Sequence, residues 1–149
     1  MRISLWAVAS FLLATSVAAL PTVLPDPIPC VRNLETTFFL ESVVNQGLSM
    51  YGIRQEIWLP INISLTHKSV TVLDRMKRRT AFMVPNPMEY PMQTGPTAKI
   101  LKGVLFEVFL EAMKENYVGD RPRADQIFGY IFARQAPRFI QCFGNEAAE

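Results

Sequence analysis

The sequence is poor in the residues and motifs that support common enzyme chemistry. Histidine occurs once, as His67, which excludes any site that needs two imidazoles. A zinc site is disfavoured because the two cysteines are better used as a bridge. The sequence has no serine nucleophile elbow, no phosphate-binding glycine loop and no HExxH motif. It therefore predicts no cofactor and no metal, and His67 is more simply a surface histidine than a catalytic one.

A strong excess of one charge is also missing. The chain has 15 lysines and arginines against 13 aspartates and glutamates. Proteins that bind nucleic acid mainly through its phosphates carry a large positive excess or a segregated basic patch. Four basic side chains do fall in one short run: Arg75, Lys77, Arg78 and Arg79. Such runs are usually solvated, and this one is a candidate binding surface.

No stretch of the sequence is apolar over the about 20 residues of a membrane span. The apolar run that follows Arg2 is shorter, and it ends in small residues up to Ala19. This arrangement is typical of a secretory signal peptide. The prediction is a signal peptide over residues 1–19, a secreted protein, and no membrane partner after cleavage.

Cysteine is scarce, since Cys30 and Cys142 are the only two. Along a secretory route, two cysteines in a small domain most simply form a disulfide; two buried free thiols are the alternative. A bridge across more than a hundred residues is worth about 4–5 kcal/mol in the chain-entropy estimate. Asn62 begins an N-I-S sequon and is a candidate glycosylation site.

The mature chain of roughly 130 residues fits one domain. Four prolines in "PTVLPDPIPC" predict an extended leader over residues 20–29, followed by a single domain over residues 30–149. Apolar residues at spacings of three and four predict a helix over residues 37–51, ending near Gly52. Apolar residues alternate in "IWLPINISL", which predicts an edge strand over residues 57–65.

The later segments are harder to place. "SVTVL" and "TAFMV" are typical of short strands on either side of the basic run. In "KILKGVLFEVFLEAMKENY" the apolar residues follow helical spacing, but the β-branched and aromatic residues of "VLFEVFL" also suit a strand. The final run "IFGYIFARQAPRFIQCF" is typical of two short strands separated by a turn at residues 135–137.

The stretch "LFEVFLEAMKENYVGDRPRADQIF", residues 105–128, resembles the core of the fungal guanyl-specific ribonucleases. In that family a strand written Y-E-W-P-I/L is followed, ten residues after its Glu, by Y-x-G-G-x-P-G-A-D-R-V. This chain matches without a gap at six positions: Glu107, Tyr117, Gly119, Pro122, Ala124 and Asp125. Cys30, Phe139 and Cys142 are similar to further family positions, so the resemblance covers about half of the mature chain.

The resemblance implies an α+β fold, in which one N-terminal α-helix packs on a twisted antiparallel β-sheet. It implies that residues 104–110 form a central strand, against the helical spacing of that segment. It also implies that the Cys30–Cys142 bridge ties the termini of a monomer together.

The same resemblance implies that the ribonuclease chemistry is lost. Glu107 stands at the family's catalytic glutamate, but the two catalytic histidines fall at Ile61 and near Ala133, and the phosphate-binding arginine falls at Gln126. Each well-placed acid or base contributes a factor of about 10²–10⁴ to the rate. Glu107 is then a vestigial catalytic residue, and the protein is not an enzyme.

Secreted proteins with such an emptied site resemble the ribonuclease-like effectors of powdery mildews and related plant-pathogenic fungi. The resemblance implies a protein, extracellular or delivered into a host cell, that binds a host protein or host RNA. Residues 68–97 are a candidate recognition surface. Two alternatives stay open: an active ribonuclease with a rearranged site of Glu107 and His67, and an unrelated, largely helical secreted binding protein with one disulfide.

Overall fold

The computed structural model of the chain describes residues 27–83, 94–116 and 118–144. Its α-helices are α1 (Pro27–Thr37), α2 (Glu41–Met50), α3 (Trp58–Ser69), α4 (Val72–Met83), α5 (Thr94–Glu115) and α6 (Arg121–Phe143), and a short 3-10 helix (Gln55–Ile57) precedes α3. None of the described residues forms a β-strand. The predicted α+β fold, with one helix on a twisted antiparallel sheet, is therefore wrong, and this part of the chain is all-helical.

Helix α5 is the centre of the packing and lies against α3, α4 and α6. Its fully buried apolar residues recur at helical spacing: Leu101, Val104, Leu105, Val108, Phe109, Ala112 and Met113. The central strand predicted over residues 104–110 is therefore wrong. The strand preference of β-branched and aromatic residues is a weak one, and burial along the helical stripe outweighs it.

A cluster of phenylalanines joins α6 to the corner between α1 and α2. Phe38, at this corner, is fully buried. Its ring centroid lies 5.8 Å from those of Phe128 and Phe139, and 6.4 Å from that of Phe132. Aromatic rings attract one another at these distances. The cluster therefore fixes the position of α1 and α2 on the long C-terminal helix.

Helix α3 occupies the segment predicted as an edge strand over residues 57–65. The alternating apolar residues contain two helical series, because Ile61 and Leu65 are buried while Leu59 and Ile63 are exposed. Pro60 lies in the first turn of α3, where a missing N–H costs no intrahelical hydrogen bond. The alternating apolar residues therefore lie on two opposite faces of α3, with Ile61 and Leu65 on the buried face and Leu59 and Ile63 on the exposed face.

The remaining strand predictions are also wrong. Helix α4 covers the basic run and most of the residues predicted as strands beside it. Helix α6 continues through the turn predicted at residues 135–137, with Pro137 inside it. An internal proline normally breaks a helix, but the buried side chains of Gln135 and Phe139 hold both sides of this one in the core.

Other predictions from the sequence are confirmed. The helix predicted over residues 37–51 is present from Glu41 onward as α2, and it is followed by Gly52, whose positive φ of 76° suits glycine. The Cys30–Cys142 disulfide is present, with the two Cα atoms 5.8 Å apart. It joins the first turn of α1 to the last turn of α6.

The predicted N-terminal segments are described only in part. The signal peptide predicted over residues 1–19 lies outside the described residues. Helix α1 begins at Pro27, so the extended leader predicted over residues 20–29 is wrong for its last three positions. Prolines in a first helical turn are tolerated because those N–H groups have no partner within the helix.

Two residues, Gln135 and Gly47, set how the helices meet. Gln135 is buried, and its Nε2 donates to the backbone oxygens of Phe38 (2.8 Å) and Thr37 (3.1 Å). The end of α1 leaves such carbonyls without intrahelical partners. Gly47 lies where α2 crosses α6, and a Cβ there would stand 3.2 Å from atoms of both Ile127 and Tyr130. Glycine therefore permits this close crossing.

Candidate functional site

The predicted basic surface lies on α4 and is partly used inside the molecule. Arg75 Nη1 donates to Glu107 (2.6 Å) and Glu111 (2.7 Å), and its Nη2 donates to Glu111 (3.0 Å). Arg79 also pairs with Glu107. Lys77 and Arg78 are exposed. Two of the four predicted binding residues therefore connect α4 to α5.

These contacts extend into a larger set that we call the ion-pair ladder: Lys68, Arg75, Arg79, Glu107, Glu111 and Glu115. The three glutamates are spaced by four residues, which places them on one face of α5. Lys68 Nζ lies 2.7 Å from Glu115 and 3.3 Å from Glu111. The hydrogen bond to Glu115 is the main cause of a raised pKa of Lys68. The ladder fastens α3 and α4 to the central helix.

Glu107, the vestigial catalytic candidate, belongs to this ladder. Its Oε1 accepts a hydrogen bond from Arg75 and its Oε2 accepts one from Arg79. Three pockets among the described residues are discussed below, and Glu107 lines none of them. His67 lines one of these pockets together with Glu41. The arrangement gives no support to a site built from Glu107 and His67.

We expect the ion-pair ladder to make stability fall as the pH is lowered from about 5 to about 2. Hydrogen bonding to Arg75 is the main cause of the lowered pKa of Glu111, about 2 compared with 4.5 for an ordinary glutamate. A carboxyl whose pKa is lower in the folded state stabilises that state above its unfolded pKa, and this stabilisation is lost as the pH falls through the folded pKa. Because the Glu111 side chain is 36% exposed, solvent screening limits the effect to about 1–2 kcal/mol.

Urea unfolding at pH 7 and pH 3 measures this contribution. The loss of unfolding free energy between these two pH values should be smaller in Glu111→Gln than in the wild type by about 1–2 kcal/mol. Glu56→Gln is the matched control, because Glu56 is exposed and has no ion pair among the described residues. An equal acid loss in Glu111→Gln and wild type would contradict the role of the ladder.

Asn62, the glycosylation candidate, is half-buried on α3. Its Nδ2 donates to Asn45 Oδ1 (2.9 Å) and to the backbone oxygen of Trp58 (2.8 Å). A glycan would be attached to this same nitrogen and would replace one of its two hydrogens. Glycosylation would therefore cost one of these hydrogen bonds, and it stays a prediction.

The outer face of α3 carries a row of exposed apolar side chains. Leu59 is 63% exposed, Ile63 is 49% exposed and Val70 is 67% exposed. Together with Thr66, which lies between them, we call this set the α3 stripe. Spacings of four and three residues place Leu59, Ile63 and Thr66 on one face of α3. Val70 directly follows the last residue of α3 with a backbone that is still helical, and it continues the same row. At 1.5 Å per residue the stripe is about 16 Å long.

A groove follows the α3 stripe on the side of the α1–α2 corner. It consists of two shallow pockets that share Thr66, with volumes of about 160 and 240 Å³. Glu35 lines the first pocket and Glu41 lines the second. Neither a lysine nor an arginine lines either pocket. The groove therefore combines the apolar side chains of the α3 stripe with polar side chains of α3, and it has two carboxylates on its other wall.

Sequence reasoning missed the α3 stripe because the strand prediction put Leu59 and Ile63 on the same buried face as Ile61. A signal was nevertheless present. At 100° per residue, Ile61 and Leu65 fall on one side of a helix and Leu59 and Ile63 fall on the other. A surface helix typically has one apolar face, which packs on the core, so apolar residues on the opposite side indicate a second, exposed apolar face.

No family model, no curated protein and no solved structure matches this chain. The resemblance to the guanyl-specific ribonucleases therefore stays a prediction, although the fold that it implied is wrong. Over residues 27–83, 94–116 and 118–144, no helix is both long and apolar enough to cross a membrane. The same residues contain no group of three or more side chains placed to hold a metal ion.

Proposed function

We propose that this protein is secreted, is not an enzyme, and acts by binding another protein at the α3 stripe. The proposal depends chiefly on the exposed row of Leu59, Ile63 and Val70. Single exposed apolar side chains are normal on soluble proteins, whereas contiguous exposed patches are a feature of interaction sites. The proposal keeps the binding role expected from the sequence and omits the ribonuclease-like fold.

The proposed occupant is an amphipathic helix of the partner protein. A stripe of about 16 Å corresponds to about three helical turns, and a helix laid in a groove contacts it through residues at i, i+4 and i+7. The groove has the carboxylates of Glu35 and Glu41 on its other wall. Complementary charge favours the correct partner. The partner helix should therefore carry lysine or arginine beside its apolar face.

The size of the α3 stripe sets the expected strength of binding. Covering a large apolar side chain is worth about 1.5–3 kcal/mol. Three such contributions are offset by the loss of translational and rotational freedom on association. Binding through the stripe alone is then expected to be weak, with a dissociation constant of about 0.1 mM or higher.

We expect the double substitution Leu59→Lys, Ile63→Lys to weaken binding of a basic amphipathic peptide by at least about thirtyfold. The change removes apolar contact and adds two positive charges that repel the lysines of the peptide. Both side chains are exposed, so the unfolding free energy should change by less than about 1 kcal/mol. The probe is a labelled helical peptide of about 14 residues with leucines on one face and lysines beside it, measured by fluorescence anisotropy.

Met50→Lys is the matched control, because Met50 is an apolar residue that is 62% exposed and lies outside the α3 stripe. A second peptide, with glutamate in place of each lysine, should bind at least about tenfold more weakly. Equal binding of the two peptides, or unchanged binding by the double variant, would contradict the proposal. A dimer that dissociates on Leu59→Lys substitution would also contradict it, because the stripe would then join two copies of this chain.

A further inference from the structure

A third pocket, of about 290 Å³, lies where the α2–α3 connection meets the turn between α5 and α6. This pocket contains no residue of the α3 stripe, and it shares no lining residue with the groove beside the stripe. Ile53, Ile57 and Val118 form its apolar wall, and Arg54, Asn116 and Arg123 supply its polar groups. The pocket thus combines a small apolar surface with two guanidinium groups.

Local structure brings the two arginines together from distant parts of the chain. Gly52, with a φ of 76°, reverses the chain after α2 and is followed at once by Ile53 and Arg54. Asp120 caps the N-terminus of α6 by accepting a hydrogen bond from the backbone N–H of Arg123, which places Arg123 in the first turn of that helix. The two segments meet at Val118 and Asn116.

The charge in this pocket is not balanced by its own lining. No aspartate or glutamate lines it. The side chain of Arg54 makes no hydrogen bond or ion pair with any described residue, although its backbone oxygen accepts a hydrogen bond from Ile57. Arg123 Nε lies 3.9 Å from the Asp120 carboxylate, and both side chains are about half exposed, at 44% and 51%. Such a long, solvated contact contributes little, so both guanidinium groups keep donors for another acceptor.

We propose that this pocket binds a small organic anion, whose carboxylate or phosphate group is held by Arg54 and Arg123. A guanidinium fork donates two parallel hydrogen bonds to either kind of anion. The positive end of α6 adds a favourable field close to Arg123. Ile53, Ile57 and Val118 accept the apolar part of the ligand. A volume of about 290 Å³ is at the small end of ligand pockets, which fits a small molecule.

Titration of ¹⁵N-labelled protein tests the proposal with defined probes: inorganic phosphate, phenyl phosphate, benzoate and neutral phenol. The amides of Gly52 and Val118 report on the pocket. The indole N–H of Trp58 also reports on it, because it donates to the backbone oxygen of Ile53 at 2.9 Å. We expect saturable shifts with phenyl phosphate or benzoate at a dissociation constant below about 1 mM, and none with phenol. If phenyl phosphate binds more tightly than benzoate, the pocket prefers a phosphate group, and the opposite order indicates a carboxylate group.

Substitutions then test which arginines bind. Arg54→Gln and Arg123→Gln should each weaken binding by about tenfold or more. Arg121→Gln is the matched control: Arg121 is exposed, belongs to the same first turn of α6 and does not line the pocket. It should bind within about twofold of wild type. Circular dichroism of each variant checks that the helices are retained.

Three outcomes would overturn the proposal. One is the absence of saturable shifts with any anion up to about 10 mM, which corresponds to negligible affinity. Another is binding by Arg54→Gln and Arg123→Gln that equals that of the wild type. The third is an equal loss in Arg121→Gln, which would indicate general attraction to positive charge. None of these results bears on the α3 stripe, because the peptide assay there uses different residues.

Discussion

Replacing Cys30 and Cys142 together with serine is expected to lower the free energy of unfolding by about 4–5 kcal/mol. The bridge joins residues separated by 112 positions, and a cross-link over so long a loop removes much of the conformational freedom of the unfolded chain. Small domains are stable by only about 5–15 kcal/mol. The variant should therefore be close to its unfolding threshold, although the contacts of its folded core are unchanged.

Urea unfolding of three samples at one pH measures this effect: oxidised wild type, wild type reduced with dithiothreitol, and the double serine variant. The reduced wild type and the variant should agree with each other, because both lack only the bridge. Serine at both positions also avoids leaving one reactive thiol, as a single substitution would. If both samples were within about 1 kcal/mol of the oxidised protein, the bridge would not constrain the unfolded chain as argued.

The second large effect is expected at Phe38. Phe38→Ala should cost about 3–5 kcal/mol, because it removes a buried ring and leaves a cavity that surrounding helices fill only in part. Phe38 is fully buried and its ring contacts those of Phe128, Phe132 and Phe139. The loss should lower the midpoint of thermal unfolding by more than about 10 °C.

Phe39→Ala is the control beside it in the sequence. Phe39 is only half-buried, so its removal exposes less of the core and should cost at most about half as much. Phe38→Leu keeps most of the volume and should also cost less than Phe38→Ala. Equal losses in Phe38→Ala and Phe39→Ala would contradict the central place of Phe38 in the aromatic cluster.

The parts of the fold that the sequence predicts correctly depend on local or chemical signals. Helix α2 follows from apolar residues at helical spacing and from a glycine that suits a positive φ after its end. The disulfide follows from the presence of only two cysteines in a chain whose first residues predict a secretory route. Neither prediction needs knowledge of which segment packs against which.

The errors arise where two periodicities coexist in one segment. In α3, alternation groups Ile61 with Leu59 and Ile63, whereas helical spacing groups it with Leu65. Ile61 and Leu65 are the buried pair, and α3 packs on α5, so the helical grouping is the correct one. In α5, the helical spacing of Leu101, Val104 and Leu105 is the correct signal. The matched spacing from Glu107 to Tyr117 outweighed it in favour of a strand. An ungapped match of a few residues therefore carries less structural information than a buried stripe over several turns.

The candidate sites were less predictable than the helices, because they depend on tertiary neighbours. Arg75 and Glu111 are 36 positions apart, and no local pattern indicates that the basic run would face the acidic side of α5. Arg54 and Arg123 line the same pocket although they are far apart in the sequence, one after the reversal that follows α2 and the other in the capped first turn of α6. The composition alone, with nearly balanced charge, predicts neither the ladder nor the pocket.

Gly47 limits which other chains can share this fold. A glycine inside a helix costs about 0.5–1 kcal/mol relative to alanine, whereas a Cβ at this position would require the side chains of Ile127 and Tyr130 to shift. Gln135 is restricted in the same way by its two bonds to the end of α1, and Cys30 and Cys142 are restricted by their bridge. Four residues at fixed spacing thus form a sparse fingerprint by which distant relatives can be recognised after most sequence identity has been lost.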